Sequence, residues 1–179
     1  STRLSVLTCC ISENPGKHGF LSADAETQEE LKDYLLYEED GHIGLFVMLG
    51  ETIKPLFYGM VTCMEVKAQG GRCVLHLEAL TESYQMDLTV RNRSFQDVAM
   101  TSHQLIQKIL EPYSQSQILF SIEDKALGQI MVQYQETDWE FLNRVLSAYG
   151  ASAYIAGNEP GIYLRVGLMD TEEDADWDL

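Results

Sequence analysis

The feature that most constrains the fold is a pair of period-two stretches, residues 54–67 and 72–80, separated by Gln69-Gly70-Gly71. Such alternation puts successive side chains on opposite faces of a strand, and paired glycines between two runs favour a tight hairpin turn. The first stretch sets Phe57, Gly59, Val61 and Cys63 on one face and Tyr58, Met60, Thr62 and Met64 on the other. The second sets Cys73, Leu75, Leu77 and Ala79 against Val74, His76 and Glu78. With Gly70 and Gly71 central in the turn, Cys73 faces Ala68 and stands far from Cys63, so the hairpin is expected to hold no disulfide. Alternating runs at 3–11, 18–24 and 83–90, with an apolar run framed by glycines at 44–50, raise the expected total to five or six strands, which suits a small barrel or sandwich. A helix is predicted from Thr27 to about Tyr37 on the spacing of Leu31, Tyr34 and Leu35.

The pattern changes after about residue 95. Thr101-Ser102-His103-Gln104 has the form of a capping box, and the apolar stripe Leu105, Ile106, Ile109 and Leu110 runs on to Pro112. Residues 118–122 and 130–134 read as short strands around a turn region at 124–128. Thr137-Asp138-Trp139-Glu140 is a second capping box, with Asp138 and Glu140 in the first turn where the helix dipole favours acids. Leu142, Val145, Leu146 and Tyr149 form its expected buried face, and Gly150 stands where a left-handed C-cap belongs. Trp139 is expected to anchor this helix in the core. Tyr134 is expected to staple its start, and Arg144 to pair with Glu140 four residues earlier. Residues 151–156 and 162–168 read as a closing hairpin. The expected fold class is α+β: a β-barrel-like domain over 1–94, a smaller αββαββ domain over 95–168, and a disordered acidic tail over 169–179.

Of 179 residues, 12 are basic and 28 acidic, a net charge of −16, and six of the acids fall in the last ten residues. That balance argues against binding nucleic acid or an anionic membrane, both of which need a basic face. No apolar run is long enough to span a bilayer as a helix, and no signal-peptide pattern opens the chain. Of the adjacent Cys9 and Cys10, one is expected to be buried and the other turned outward. Four thiols without C-x-x-C suit a reducing compartment. The histidines His18, His42, His76 and His103 show no H-E-x-x-H spacing, and neither a nucleophile elbow nor a phosphate-binding glycine loop occurs. Glu78 and Glu82 are the candidate carboxylate pair, with His76 a candidate base on the same face. Each reads more simply as a solvated surface residue. No catalytic, cofactor or metal residue is assigned.

The stretch Val132-Gln133-Tyr134-Gln135-Glu136-Thr137-Asp138-Trp139-Glu140-Phe141-Leu142-Asn143-Arg144-Val145-Leu146 resembles the Q-Y-x-E-[ST]-D-x-x-F-x-x-R segment of the contractile-tail baseplate hub family. That family comprises the phage late control gene D proteins, baseplate hubs and the N-terminal part of VgrG spike proteins. Three further pieces fall in the family's order. Leu56-Phe57-Tyr58-Gly59-Met60-Val61-Thr62 resembles its F-x-G-x-V strand, Arg93-Ser94-Phe95-Gln96-Asp97 its S-R-x-F-Q segment, and residues 101–111 its first helix. The resemblance covers about residues 44–168. At 148–150 the sequence is Ala148-Tyr149-Gly150, where the family has an acidic ending, and 179 residues leave no room for a second barrel.

What the resemblance implies is a structural hub without cofactors. Such hubs are homotrimers of two-barrel chains that match a tail tube above to a spike below. The motif residues would be Phe57, Gly59, Phe95, Tyr134, Glu136, Thr137, Asp138, Phe141, Arg144 and Gly150. The implied location is the bacterial cytoplasm during assembly, then the baseplate or spike complex of a phage, phage-like particle or secretion system. A stand-alone β-barrel module for peptide or carbohydrate, and a carboxylate-based hydrolase, are the competing readings.

Overall fold

The computed structural model describes residues 5–27, 41–69 and 72–167. The first five strands are β1 (Ser5–Ser12), β2 (Phe20–Thr27), β3 (His42–Leu49), β4 (Thr52–Gln69) and β5 (Arg72–Thr81). They form an antiparallel sheet in the order β1-β2-β5-β4-β3, curled into half a barrel. The helix expected from Thr27 lies outside the described residues except for Thr27 itself, which ends β2. Register pairs Ala68 with Cys73, as the two-glycine turn requires, and all four cysteines are free.

One face of this sheet carries Leu21, Phe57, Leu77 and Ala79 as a buried cluster, lined by Ile11, Ala23, Ile43, Leu45 and Val61. Strict alternation along β4 fails at a bulge between Val61 and Cys63. Beyond it Cys63 stands opposite Glu78 and Met64 opposite Leu77. Cys63 therefore leaves the Phe57 face and Met64 joins it, because one inserted residue reverses the side-chain phase. Cys9 and Cys10 are both exposed rather than split between core and solvent, since β1 is an edge strand. The Phe57–Thr62 stretch is interior to the sheet, and among the described residues the edge strands are β1 and β3.

Residues 83–90 are not a continuous strand. Glu82–Asp87 form a 3-10 helix, and only from Val90 does β6 (Val90–Phe95) begin. Ser83 and Met86 are its buried residues, a spacing of three that follows the 3-10 repeat. The remainder comprises α1 (Ser102–Leu110), β7 (Ser116–Phe120), β8 (Met131–Thr137), α2 (Asp138–Ala148), β9 (Ser152–Ile155) and β10 (Ile162–Gly167). The strands flanking the 124–128 turn do not pair with each other. β8 pairs with β6, while β7 runs parallel to β10, which is central in the order β7-β10-β9. Both helices pack on this second core through Leu105, Ile106, Ile109, Phe141, Leu142, Val145 and Leu146, and Met86 reaches it from the 3-10 helix.

Both capping boxes form. Thr101 and Thr137 accept from Gln104 N and Glu140 N, and the Gln104 and Glu140 side chains accept from the cap amides in return. At the far end of α2, Gly150 adopts φ +63. Gly150 N donates to Ser147 O, and Ala151 N to Leu146 O. That is the Schellman pattern, which glycine enters without a Cβ clash.

Candidate functional site

Among the described residues, side-chain bonds crowd around the N-terminal turn of α2. Asp138 is fully buried. Its Oδ1 receives Arg93 and, at 3.0 Å, the Gln133 amide, while its Oδ2 receives the Tyr113 hydroxyl at 2.8 Å. Arg91 Nε lies 3.0 Å from Oδ2 as an ion pair whose N–H is not aligned on the oxygen. A buried carboxylate is tolerable only with such a complete set of partners. Burial first, and then Asp138, pushes the Tyr113 hydroxyl up to about 12. The two arginines come from β6, so the buried charge ties the β6–β8 ribbon to α2. Phe95 continues the seal by stacking on Phe141 at 5.8 Å.

A second set of bonds crosses from α2 to the five-stranded sheet. The Thr137 hydroxyl donates to Asp87 Oδ1, and Asp87 Oδ2 stands 2.9 Å from His18 Nε2. The ring of His18 lies tilted against Trp139, with centres 4.4 Å apart, and its Nδ1 meets Ser83 Oγ at 2.8 Å. Near this seam Gly16 N donates to Ala153 O, Tyr58 N to Gly157 O, and Gly157 N to Glu13 Oε1. Burial pushes the Glu13 carboxyl up. Ser83, His18 and Asp87 are the three residue types of a hydrolytic triad, but Ser83 is fully buried and its hydroxyl is also bonded to Thr81. A nucleophile needs an approach path for substrate, so the constellation acts as a tie.

Thr137→Ala should cost about 2 kcal/mol, the upper end for a lost N-cap, because the same hydroxyl also donates to Asp87. Urea denaturation measures it, and a midpoint unchanged from wild type would show that the cap carries no stability.

Six of the ten motif residues meet around α2: Phe95, Glu136, Thr137, Asp138, Phe141 and Arg144. Phe57 and Gly59 lie instead in the sheet, and Gly150 caps the opposite end of the helix. Tyr134 is no staple. It is 68% exposed on the outer face of the ribbon beside exposed Val132, because alternation along β8 turns it away from α2. Arg144 pairs with Glu136 at 2.6 and 2.7 Å and also donates to Val132 O, so Glu140 is not its partner. Glu140 is already committed to the cap amide of Thr137. The guanidinium holds the Glu136 carboxyl below the usual carboxylate range and lies 5.0 Å from the Phe141 ring centre.

Glu78 and Glu82 do not converge. Glu78 neighbours His76 at 3.6 Å, and Glu82 pairs with His42 at 3.4 Å and receives Gln85. His76 belongs to a polar row across the sheet with Asp24 at 2.8 Å, which raises its pKa. Among the described residues no group of acids, histidines and cysteines could hold a metal ion, and no helix is long and apolar enough to cross a membrane. Sequence reasoning missed the bonds of His18, Ser83, Asp87, Arg91 and Tyr113 to partners far along the chain, and those of Gln133, whose amide reaches Asp138 five residues on.

Residues 45–171 match the family model described as phage tail baseplate hub (GPD). No relative among curated proteins matches the sequence. Solved structures do. One is an E. coli protein described as a component of the type VI secretion system, with structural similarity to the T4 bacteriophage tail proteins gp27 and gp5. It aligns with a TM-score of 0.64 at 14% identity over 92% of this chain and 49% of that one. A tail protein of Neisseria meningitidis aligns at 0.60 and 17%, over 87% and 43% of the two chains. A 43 kDa tail protein of a Shewanella oneidensis prophage aligns at 0.59 and 11%, over 92% and 52%. The chain thus spans about half the length of these structures, and at such identities the likeness is one of fold.

Proposed function

Since this chain belongs to the phage tail baseplate hub family, a family of structural tail proteins rather than enzymes, we propose that it works as the hub that joins a tail tube to a spike. One observation carries the reading furthest. The most elaborate polar constellations of the molecule, around Asp138 and His18, are sunk into the joints between its parts and turned to holding them in register. An adaptor must transmit force between differently symmetric neighbours, and buried, fully bonded joints suit that work.

In this proposal the half-barrel sheet is the first barrel-like unit, to about residue 94. The helices with their sheet, over 95–168, are the unit that would stand between two barrels. The separate apolar clusters support that division. A homotrimer completed by a second barrel would form the ring, with tube and spike proteins above and below, first in the bacterial cytoplasm and then in a phage tail, phage-like particle or type VI spike. The open β3 edge and the exposed Phe46, Met48, Leu49 and Ile53 beside it are the contact surface we favour. Apolar residues along an unpaired edge are suited to meeting another chain.

A chain carrying −16 repels its own copies, and salt screens that repulsion over about 10 Å at 0.1 M. Association of this chain, or of a longer one bearing the second barrel, should strengthen as salt rises, and Ile53→Asp should weaken it. Sedimentation across a salt series measures both. A longer chain that stays monomeric at high concentration and high salt removes the ring.

A further inference from the structure

His18 is held by a hydrogen-bond chain with a direction. Its Nε2 faces the carboxylate Asp87 at 2.9 Å, so that nitrogen carries the proton, and Nδ1 is left to accept from Ser83. The Ser83 oxygen in turn accepts from Thr81, whose oxygen accepts from Gly19 N at 3.0 Å. In this arrangement every donor has an acceptor. A second proton on the ring at Nδ1 would turn Ser83 into an acceptor and make it donate to Thr81. Thr81 would then receive two hydrogens, and its own hydroxyl proton would lose its acceptor, although Thr81 is 1% exposed. An unmet buried hydroxyl is costly, so the chain opposes protonation.

We propose that His18 is an acid-sensitive latch across the seam: the neutral ring joins the sheet to α2, and a proton at Nδ1 opens the joint. The groups around the ring fit the role. From the 3-10 helix, Asp87 is its charged partner and Tyr84 presents a ring edge at 5.9 Å. From α2, uncharged Trp139 covers it, and Thr137 and Glu140 lie beyond Asp87 along the same chain of bonds. On its own loop, Lys17 adjoins it and Glu13 is turned to Gly157. Opening would free the N-cap of α2 from Asp87 and leave the two apolar clusters to be held by the remaining seam contacts.

The direction of the pH effect follows from linkage. Burial holds the His18 ring below its ordinary pKa, with Asp87 opposing in part. A base with a depressed folded pKa contributes stability above its unfolded value, near 6.5, and that contribution is lost as pH falls through the folded value. His76, raised by Asp24, and Glu13, raised by burial, act in the opposite sense. The carboxylates Asp24, Asp124 and Glu136 are shifted downward and act in more acid solution.

Imidazole nitrogen NMR and hydrogen exchange on the whole chain test the latch between pH 7.5 and 5.5. His18 should show the Nε2–H tautomer and titrate below 6.5. The amides of Gly16 and Tyr58, which cross the seam, should lose about tenfold protection after correction for intrinsic rates, ahead of the amides inside the sheet. His18→Gln should remove that pH dependence while His76→Gln keeps it. Titration of His18 at or above 6.5, uniform loss of protection across the fold, or an unchanged pH dependence in His18→Gln would each overturn the proposal. If His18→Gln does not fold, the wild-type tautomer, titration and exchange pattern decide alone.

Discussion

Gly59→Ala is expected to prevent stable folding of the five-stranded sheet, with a loss above about 3 kcal/mol. The added Cβ would stand 2.1 Å from Leu80 O, 2.7 Å from Leu80 C and 2.7 Å from Phe57 Cε1. Two of those atoms are the backbone of β5, fixed by the ladder that pairs Gly59 with Thr81 and Met60 with Leu80. The third belongs to a fully buried ring. Neither side can yield without separating β4 from β5, which holds the middle of the sheet. Urea denaturation, or soluble yield if the variant does not fold, measures the effect. A midpoint near wild type would mean that the strands approach less closely than described. Gly50→Ala is a useful contrast, since nothing lies within 4 Å there and only its left-handed φ of +62 is strained.

Asp138→Asn should cost about 3 kcal/mol while leaving the shape of the site intact. Removing one partner of a buried ion pair strands the other, at roughly 3–5 kcal/mol. The lower figure applies because Arg91 and Arg93 keep about a third and a quarter of their side chains in solvent. The loss should be largest for the β6–β8 ribbon, whose two strands are too few to stand without an anchor. A second readout isolates the charge. Tyr113, held up to about 12 by burial and then by Asp138, should titrate lower in the variant yet stay above its ordinary value of 10, because its burial remains. Unchanged stability together with an unchanged Tyr113 titration would show that the arginines do not depend on this carboxylate.

The capped ends of the helices and the turn of the long hairpin were legible beforehand. The boxes at Thr101 and Thr137, the glycine that ends α2 and the Gly70-Gly71 register each depend on neighbours within one turn. Strand faces were legible only as far as the bulge at Val61, since a pattern of period two carries no warning of an inserted residue. The run at 83–90 misled because Tyr84, Met86 and Leu88 alternate, while the geometry used the spacing of Ser83 and Met86. The family motif around Thr137 falls at the start of α2 without revealing the buried bonds made there. Asp138 meets Arg93 across 45 positions and His18 meets Asp87 across 69, and no local pattern announces such pairs. Tyr134 and Arg144 were misassigned for a related reason: helical spacing suggested their partners, but β8 supplied the actual environment.

The central place of β10 bears on how the chain is made. The last described strand is the one on which β7 and β9 both hang, and its parallel partner β7 was synthesised more than forty residues earlier. Until Ile162–Gly167 has left the ribosome, the sheet beneath α1 and α2 lacks its middle, and Trp139, Phe141 and Leu142 have no complete floor to bury against. The nascent protein must therefore carry an uncovered apolar surface from the synthesis of α1 until that of β10, which leaves that interval open to aggregation and makes it the natural moment for a chaperone to act.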